Sequence, residues 1–125
     1  MNDDRKARPL RVLVVEDEVI VGLDVVQGLA EAGFDAHGPF KSSAEALGGV
    51  EAVDPDVAVL DVNLGGDDTS EPVARRLQAE GRPFLFLTGY AASASRLLDG
   101  FPEAPRVSKP SSMQTLKEAL LDLVR

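Results

Sequence analysis

Cysteine is absent from the sequence, histidine occurs once (His37), and no apolar run approaches the length of a membrane span. Each gap removes a class of function. Without cysteine there is no disulfide framework and no thiolate metal site. One imidazole excludes metal sites that draw two or three histidines from a single chain. A bilayer-spanning helix needs about 20 predominantly apolar residues, and the charged N-terminal stretch lacks the apolar centre of a signal peptide. Basic residues are scarce as well: 13 Lys and Arg stand against 21 Asp and Glu, a formal net charge of −8. That balance opposes nucleic-acid binding, which needs clustered Lys and Arg. Phosphate-cradling glycine loops are also missing. Gly65-Gly66 lacks the Gly-Lys-Ser/Thr of a Walker loop, and Glu16-Asp17-Glu18 stands where a dinucleotide fingerprint needs glycines. What is there is 125 residues, 44% hydrophobic and 27% charged, which fits one soluble, cytoplasmic globular domain with a real core.

Three short runs, Val12-Leu13-Val14-Val15, Val57-Ala58-Val59-Leu60 and Phe84-Leu85-Phe86-Leu87, are apolar at successive positions. Strands covered on both faces, as in a parallel sheet between helices, carry this pattern. Weaker runs at 34–37 and 106–108 fit more exposed strands. Helical patterns fill the gaps. Val19, Leu23, Val26 and Ala30 lie on one helical face, and Gly33 stops that helix. Ser42-Ser43-Ala44-Glu45 has capping-box spacing, and Gly48-Gly49 weakens the helix it opens. Pro72 lies near the start of a third helix with Val73 and Leu77 as its stripe, ended by Gly81. Ser111-Ser112 opens the last, whose stripe is Met113, Leu116, Leu120 and Val124. Residues 91–98 suit a short fourth helix before Gly100, Pro102 and Pro105 break the segment. Strand then helix, five times over, implies a doubly wound α/β fold with helices on both faces. Ligands bind such folds beyond the C-terminal strand ends.

Those ends are chemically loaded. The first strand runs into Glu16-Asp17-Glu18, the third into Asp61, the fourth into Thr88 and the fifth into Ser108-Lys109-Pro110. In a parallel sheet they emerge at one edge, so at least three carboxylates converge with a hydroxyl and one ammonium. Any one of these acids alone reads as a helix cap or a solvated loop charge. Together they repel: like charges about 4 Å apart cost about 4 kcal/mol at an effective dielectric near 20. Lys109 offsets one of them. An all-oxygen site with open positions suits Mg²⁺.

In these residues the chain resembles the response-regulator receiver domains of two-component signalling, over residues 11–125, with 1–10 as an N-terminal tail. The resemblance implies a flavodoxin-like five-stranded parallel sheet of order 2-1-3-4-5. It implies that Glu16 and Asp17 hold Mg²⁺, that Asp61 receives a phosphoryl group, and that Asn63 lends the metal a main-chain carbonyl. Thr88 matches the switch hydroxyl and Lys109 the phosphate-pairing lysine. Lys109-Pro110 matches a peptide bond that is typically cis in the family. The implied partner is a histidine kinase or histidine phosphotransfer protein. A downstream protein target is expected to meet residues 89–105, because Thr88 and Lys109 bracket that segment and its small residues, glycines and prolines let it rearrange. The implied role is a switch or a phosphate sink rather than an enzyme. Asp61-Val62-Asn63-Leu64-Gly65-Gly66 and residues 83–90 look like a stand-alone alphaproteobacterial subgroup with a Phe-Ala-Thr-Gly signature, Leu87 replacing Ala. Three positions depart from the wider family: Gly65 stands where Pro is usual, Arg106 where an aromatic is usual, and Ser111 where Phe is frequent.

Two other readings compete. A haloacid-dehalogenase-type phosphatase also combines an Asp nucleophile, a Ser/Thr and a Lys. It needs Asp-x-Asp at the end of its first core strand, whereas here residue 63 is Asn and Glu16-Asp17 come first. A degenerate receiver serving only as a binding module would not need Glu16, Asp17, Asp61, Thr88 and Lys109 together.

Overall fold

A computed structural model describes residues 8–89, 95–109 and 111–125. Among them five strands alternate with five helices: β1 (Arg11–Val15), α1 (Val19–Glu31), β2 (Asp35–Phe40), α2 (Ser43–Val53), β3 (Val57–Asp61), α3 (Glu71–Ala79), β4 (Phe84–Thr88), α4 (Ser95–Asp99), β5 (Arg106–Ser108) and α5 (Met113–Val124). The strands form one sheet in the order β2-β1-β3-β4-β5, and every pairing is parallel. Successive side chains of a strand point to opposite faces, so each apolar run supplies two cores. Leu13, Ala58, Leu60 and Phe86 pack with Val50 of α2, Val73 and Leu77 of α3, and Leu98 of α4. Val12, Val14, Val59, Leu85 and Val107 pack with Leu29 of α1 and Leu116 and Leu120 of α5. The expected sheet order and layering are therefore present. No described helix is long and apolar enough to cross a membrane.

Caps sit where the sequence put them. Ser42 Oγ accepts from Glu45 N–H and Ser112 Oγ from Thr115 N–H, each at 3.1 Å. Helix α2 runs through Gly48 and Gly49, and the Phe40 ring fills the space a Gly49 β-carbon would need.

Helix α1 differs from the sequence reading. Val19 and Leu23 are 45% and 53% exposed, and Gly22 and Leu29 form the buried side instead. Apolar residues on several sides of α1 hide the true period, and a close approach decides it. A β-carbon on Gly22 would collide with the Pro39 ring, whereas one on Gly28 would meet the mobile end of Met113. Gly22→Ala is accordingly expected to lose about 1–3 kcal/mol of stability. Gly28→Ala should be near neutral, since a thioether swings aside and Ala favours helix. Thermal denaturation of the two variants compares them directly.

Strand β2 spans Asp35–Phe40 and so continues through Gly38 and Pro39, beyond the expected run at 34–37. It is an edge strand, where proline is tolerated. Helix α4 is described over Ser95–Asp99, which takes in the described part of the expected helix. Residues 91–94 of the expected helix and the Lys109–Pro110 bond lie outside the described residues. Leu97 and Leu98 of α4 are buried, as is Phe101 just after it, whose ring lies 5.7 Å from Phe84 and 5.9 Å from Phe86.

Candidate functional site

The sheet order reverses between β1 and β3, whose crossovers leave for opposite faces, and the crevice opens there. Glu16 follows β1 directly and is fixed by its N–H, which donates to Phe40 O at 2.9 Å. Asp61 is the last residue of β3. Lys109 follows β5, and its N–H donates to Thr88 O at 2.8 Å, tying the ends of β4 and β5 together.

These positions converge. Carboxylate oxygens of Glu16, Asp17 and Asp61 lie within 4.8 Å of one another. Lys109 Nζ stands 2.5 Å from Glu16 Oε1 and 3.3 Å from Asp61 Oδ1. Glu16 is 1% exposed, while the side chains of Asp61 and Lys109 retain 14% and 24% exposure at the mouth. The second Glu16 oxygen accepts from Glu18 N–H at 3.2 Å. At the other edge of the sheet the charge is neutralised within the fold: Arg82 pairs with both Asp54 and Glu80 at 2.8 Å.

One ammonium among three carboxylates splits their acidities. Burial works to raise the Glu16 carboxyl, but hydrogen bonds with Asp61, Lys109 and the Glu18 N–H, together with the Lys109 charge, hold it below its ordinary value. Asp61 goes the other way. Burial and the neighbouring Glu16 push it up to about 7 against the pull of Lys109. Burial acts to lower Lys109, and the two carboxylates overcome it and raise the ammonium. An oxygen-only donor set with three carboxylates against one ammonium fits a hard divalent ion of the Mg²⁺ kind.

Thr88 is half-buried at the end of β4, beside Ser108 in the ladder. Asn63 is exposed and pairs with Thr69 across the loop between β3 and α3. Gly65 of that loop has φ +95° and borders Asp17. Proline, fixed near φ −65°, cannot take that conformation, so the loop follows a path of its own here. His37 sits on β2 beside Asp35, at 3.1 Å, apart from the acidic cluster.

One arrangement escaped the sequence. Asp68 receives two hydrogen bonds from Ser43, from the N–H at 2.8 Å and the hydroxyl at 2.6 Å. Twenty-five positions separate the two residues, and Ser43 reads equally well as part of the capping box, so no local signal marks them.

No family model matches the chain. The solution structure of SdrG from Sphingomonas melonis Fr1 is 34% identical, with a TM-score of 0.78, over 94% of this chain and 98% of SdrG. The crystal structure of a response regulator receiver protein from Sinorhizobium medicae WSM419 is 26% identical, with a TM-score of 0.80, over 94% and 96% of the two chains. The chain belongs to the response-regulator receiver family. The receiver is also 31% identical over 93 residues to the transcriptional regulatory protein PdtaR of Mycobacterium tuberculosis H37Rv. That match takes in 71% of this chain and 43% of PdtaR. The receiver thus spans less than half the length of the curated relatives it matches.

Proposed function

We propose that this receiver is a phosphorylation switch in which Asp61 accepts a phosphoryl group from the phosphohistidine of a histidine kinase or histidine phosphotransfer protein. The observation that carries the reading is the gathering of Asp61 with Glu16, Asp17 and Lys109 at one strand edge. A carboxylate oxygen of Asp61 attacks phosphorus in line, the phosphorus–nitrogen bond to the imidazole breaks, and the departing imidazole takes up a proton. Lys109 neutralises a phosphoryl oxygen, and the Thr88 hydroxyl donates to another. Glu16, Asp17 and Asp61, with the Asn63 main-chain carbonyl, are the residues that would hold Mg²⁺, which when bound supplies positive charge to the phosphoryl oxygens. The receiver acts on itself and turns over no other substrate.

A donor of protein size is supported by the surface beside the mouth. Ile20 is 83% exposed, and it stands with exposed Val19 and Leu23 on the first turns of α1, immediately after the acidic cluster. Contiguous exposed apolar side chains of this kind mark protein-binding surfaces. Output runs through residues 89–105, which Thr88 and Lys109 bracket: a phosphoryl group tethering both flanks rearranges the backbone between them. Arg106 is exposed on β5 in the usual aromatic position, so backbone motion, not an aromatic rotamer, relays the signal. The reading includes a cytoplasmic, stand-alone receiver of the Phe-Ala-Thr-Gly type that acts on a protein target or as a phosphate sink.

Phosphoramidate, whose phosphorus–nitrogen bond stands in for phosphohistidine, provides the test. Intact mass should gain one phosphoryl group with Mg²⁺ and none with EDTA. Labelling that proceeds equally well in EDTA would contradict the reading.

A further inference from the structure

We infer that Asp68 is a positioning residue for this site, holding the loop between β3 and α3 against the acidic cluster by clamping it to the start of α2. The inference rests on the proposed Mg²⁺ site and adds to it a residue that touches neither metal nor substrate.

The loop is a small hairpin built on Asp61. Ser70 N–H donates to Val62 O at 2.9 Å, Leu64 N–H to Asp68 O at 2.9 Å, and Asp68 N–H to Gly65 O at 3.0 Å. Val62 and Leu64 are buried and anchor its first limb in the core. The tip has no such anchor. Gly65, Gly66 and Asp67 are exposed, and both glycines have positive φ. Glycines give the backbone its widest freedom and the largest entropy to lose on ordering. Yet this tip borders Asp17: a β-carbon on Gly65 would lie 3.6 Å from Asp17 Oδ2.

The second limb is fixed from outside the hairpin. Both Asp68 carboxylate oxygens are engaged by Ser43, one by its N–H and one by its hydroxyl. Ser43 is the first residue of α2, so the carboxylate also satisfies a free first-turn donor and lies at the favourable end of the helix dipole. Helix α2 is itself held in the core by Ala46 and Val50. Asp68 therefore ties the glycine-containing tip to a fixed frame, on the side where Gly65 borders Asp17. Partners that orient ligating groups in this way change metal affinity by about 10–100-fold when removed.

The test is magnesium affinity, read by titration calorimetry well below each variant's unfolding midpoint. Asp68→Ala should bind Mg²⁺ about tenfold more weakly than wild type. Ser43→Ala, which keeps the backbone donor, should lose a few-fold, and Ser43→Thr, which restores a hydroxyl, should recover wild-type affinity. A purely structural cap would lower the midpoint and leave the affinity of the folded protein unchanged. Folded Asp68→Ala with wild-type affinity overturns the inference. If Asp68→Ala does not fold, equal affinities for Ser43→Ala and wild type overturn it instead. Asp17→Ala separates the two levels: weakened binding there upholds the proposed metal site whatever Asp68 does, and no saturable Mg²⁺ binding by wild type removes both.

Discussion

Replacing Lys109 by methionine should cost the metal-free protein about 2–4 kcal/mol at about pH 8 and much less at about pH 5. Methionine keeps much of the apolar stem and removes the charge. It leaves Glu16, 1% exposed, with the Glu18 N–H as its remaining backbone donor. Breaking one side of a buried pair costs about 3–5 kcal/mol, and the partial exposure of Lys109 trims that figure. The pH dependence follows from the sign of the Glu16 shift. In the intact protein its folded value is depressed, so its contribution is present above the ordinary carboxylate value and is lost as pH falls through the folded one. Without Lys109, burial, the first influence on Glu16, is opposed far less and raises the carboxyl. The dependence then inverts, and stability falls as pH rises. The gap between the two proteins must widen with pH. Urea denaturation in EDTA across that range measures it, and a cost independent of pH would reject the assignment of Lys109 as the charge that holds Glu16.

Asp61→Asn should act in the opposite direction, stabilising the metal-free receiver by about 2 kcal/mol at about pH 8 and leaving it unchanged at about pH 4. The Asp61 carboxyl is raised from 3.8 to about 7 by burial and by Glu16. A raised acid contributes stability that is fully present below its unfolded value and disappears as pH climbs through the folded one. The window is therefore about pH 4 to 7. A shift of this size is worth about 4 kcal/mol for an isolated group, roughly halved here because Glu16 shares the proton. Asparagine does not titrate, so the variant escapes the loss. Saturating Mg²⁺ should narrow the difference by neutralising the wild-type cluster. A variant less stable than wild type at alkaline pH in EDTA would contradict this account of the site's electrostatics.

How much of this the sequence disclosed depends on whether a feature is local. Strands β1, β3 and β4 are legible because sandwiching between two helical layers makes every position apolar. Once three such strands are found, Glu16, Asp17, Asp61 and Thr88 fall at their ends without further information. Lys109 follows by the same rule from a weaker strand. The buried face of α1 was not legible. Its sequence is apolar on several sides, and the choice among them is made by Gly22 against Pro39, a contact between distant positions. The extension of β2 through Gly38-Pro39 was hidden for a related reason, since only the sheet order reveals that β2 is an edge. Leu97 and Leu98 fall in a stretch legible as a short helix, whereas the aromatic cluster of Phe101 with Phe84 and Phe86 is a tertiary arrangement with no local signal. The Asp68–Ser43 clamp is the extreme case, two ordinary polar residues joined only by the fold.

The central claim is that Asp61 is the phosphoacceptor, and borohydride trapping tests it most directly. Reduction of a protein treated with phosphoramidate and Mg²⁺ converts an aspartyl phosphate to homoserine, which peptide mass mapping locates. The account predicts homoserine at position 61 alone, and no phosphoryl gain or conversion in Asp61→Asn. Conversion at another residue, or undiminished labelling of Asp61→Asn, would contradict it.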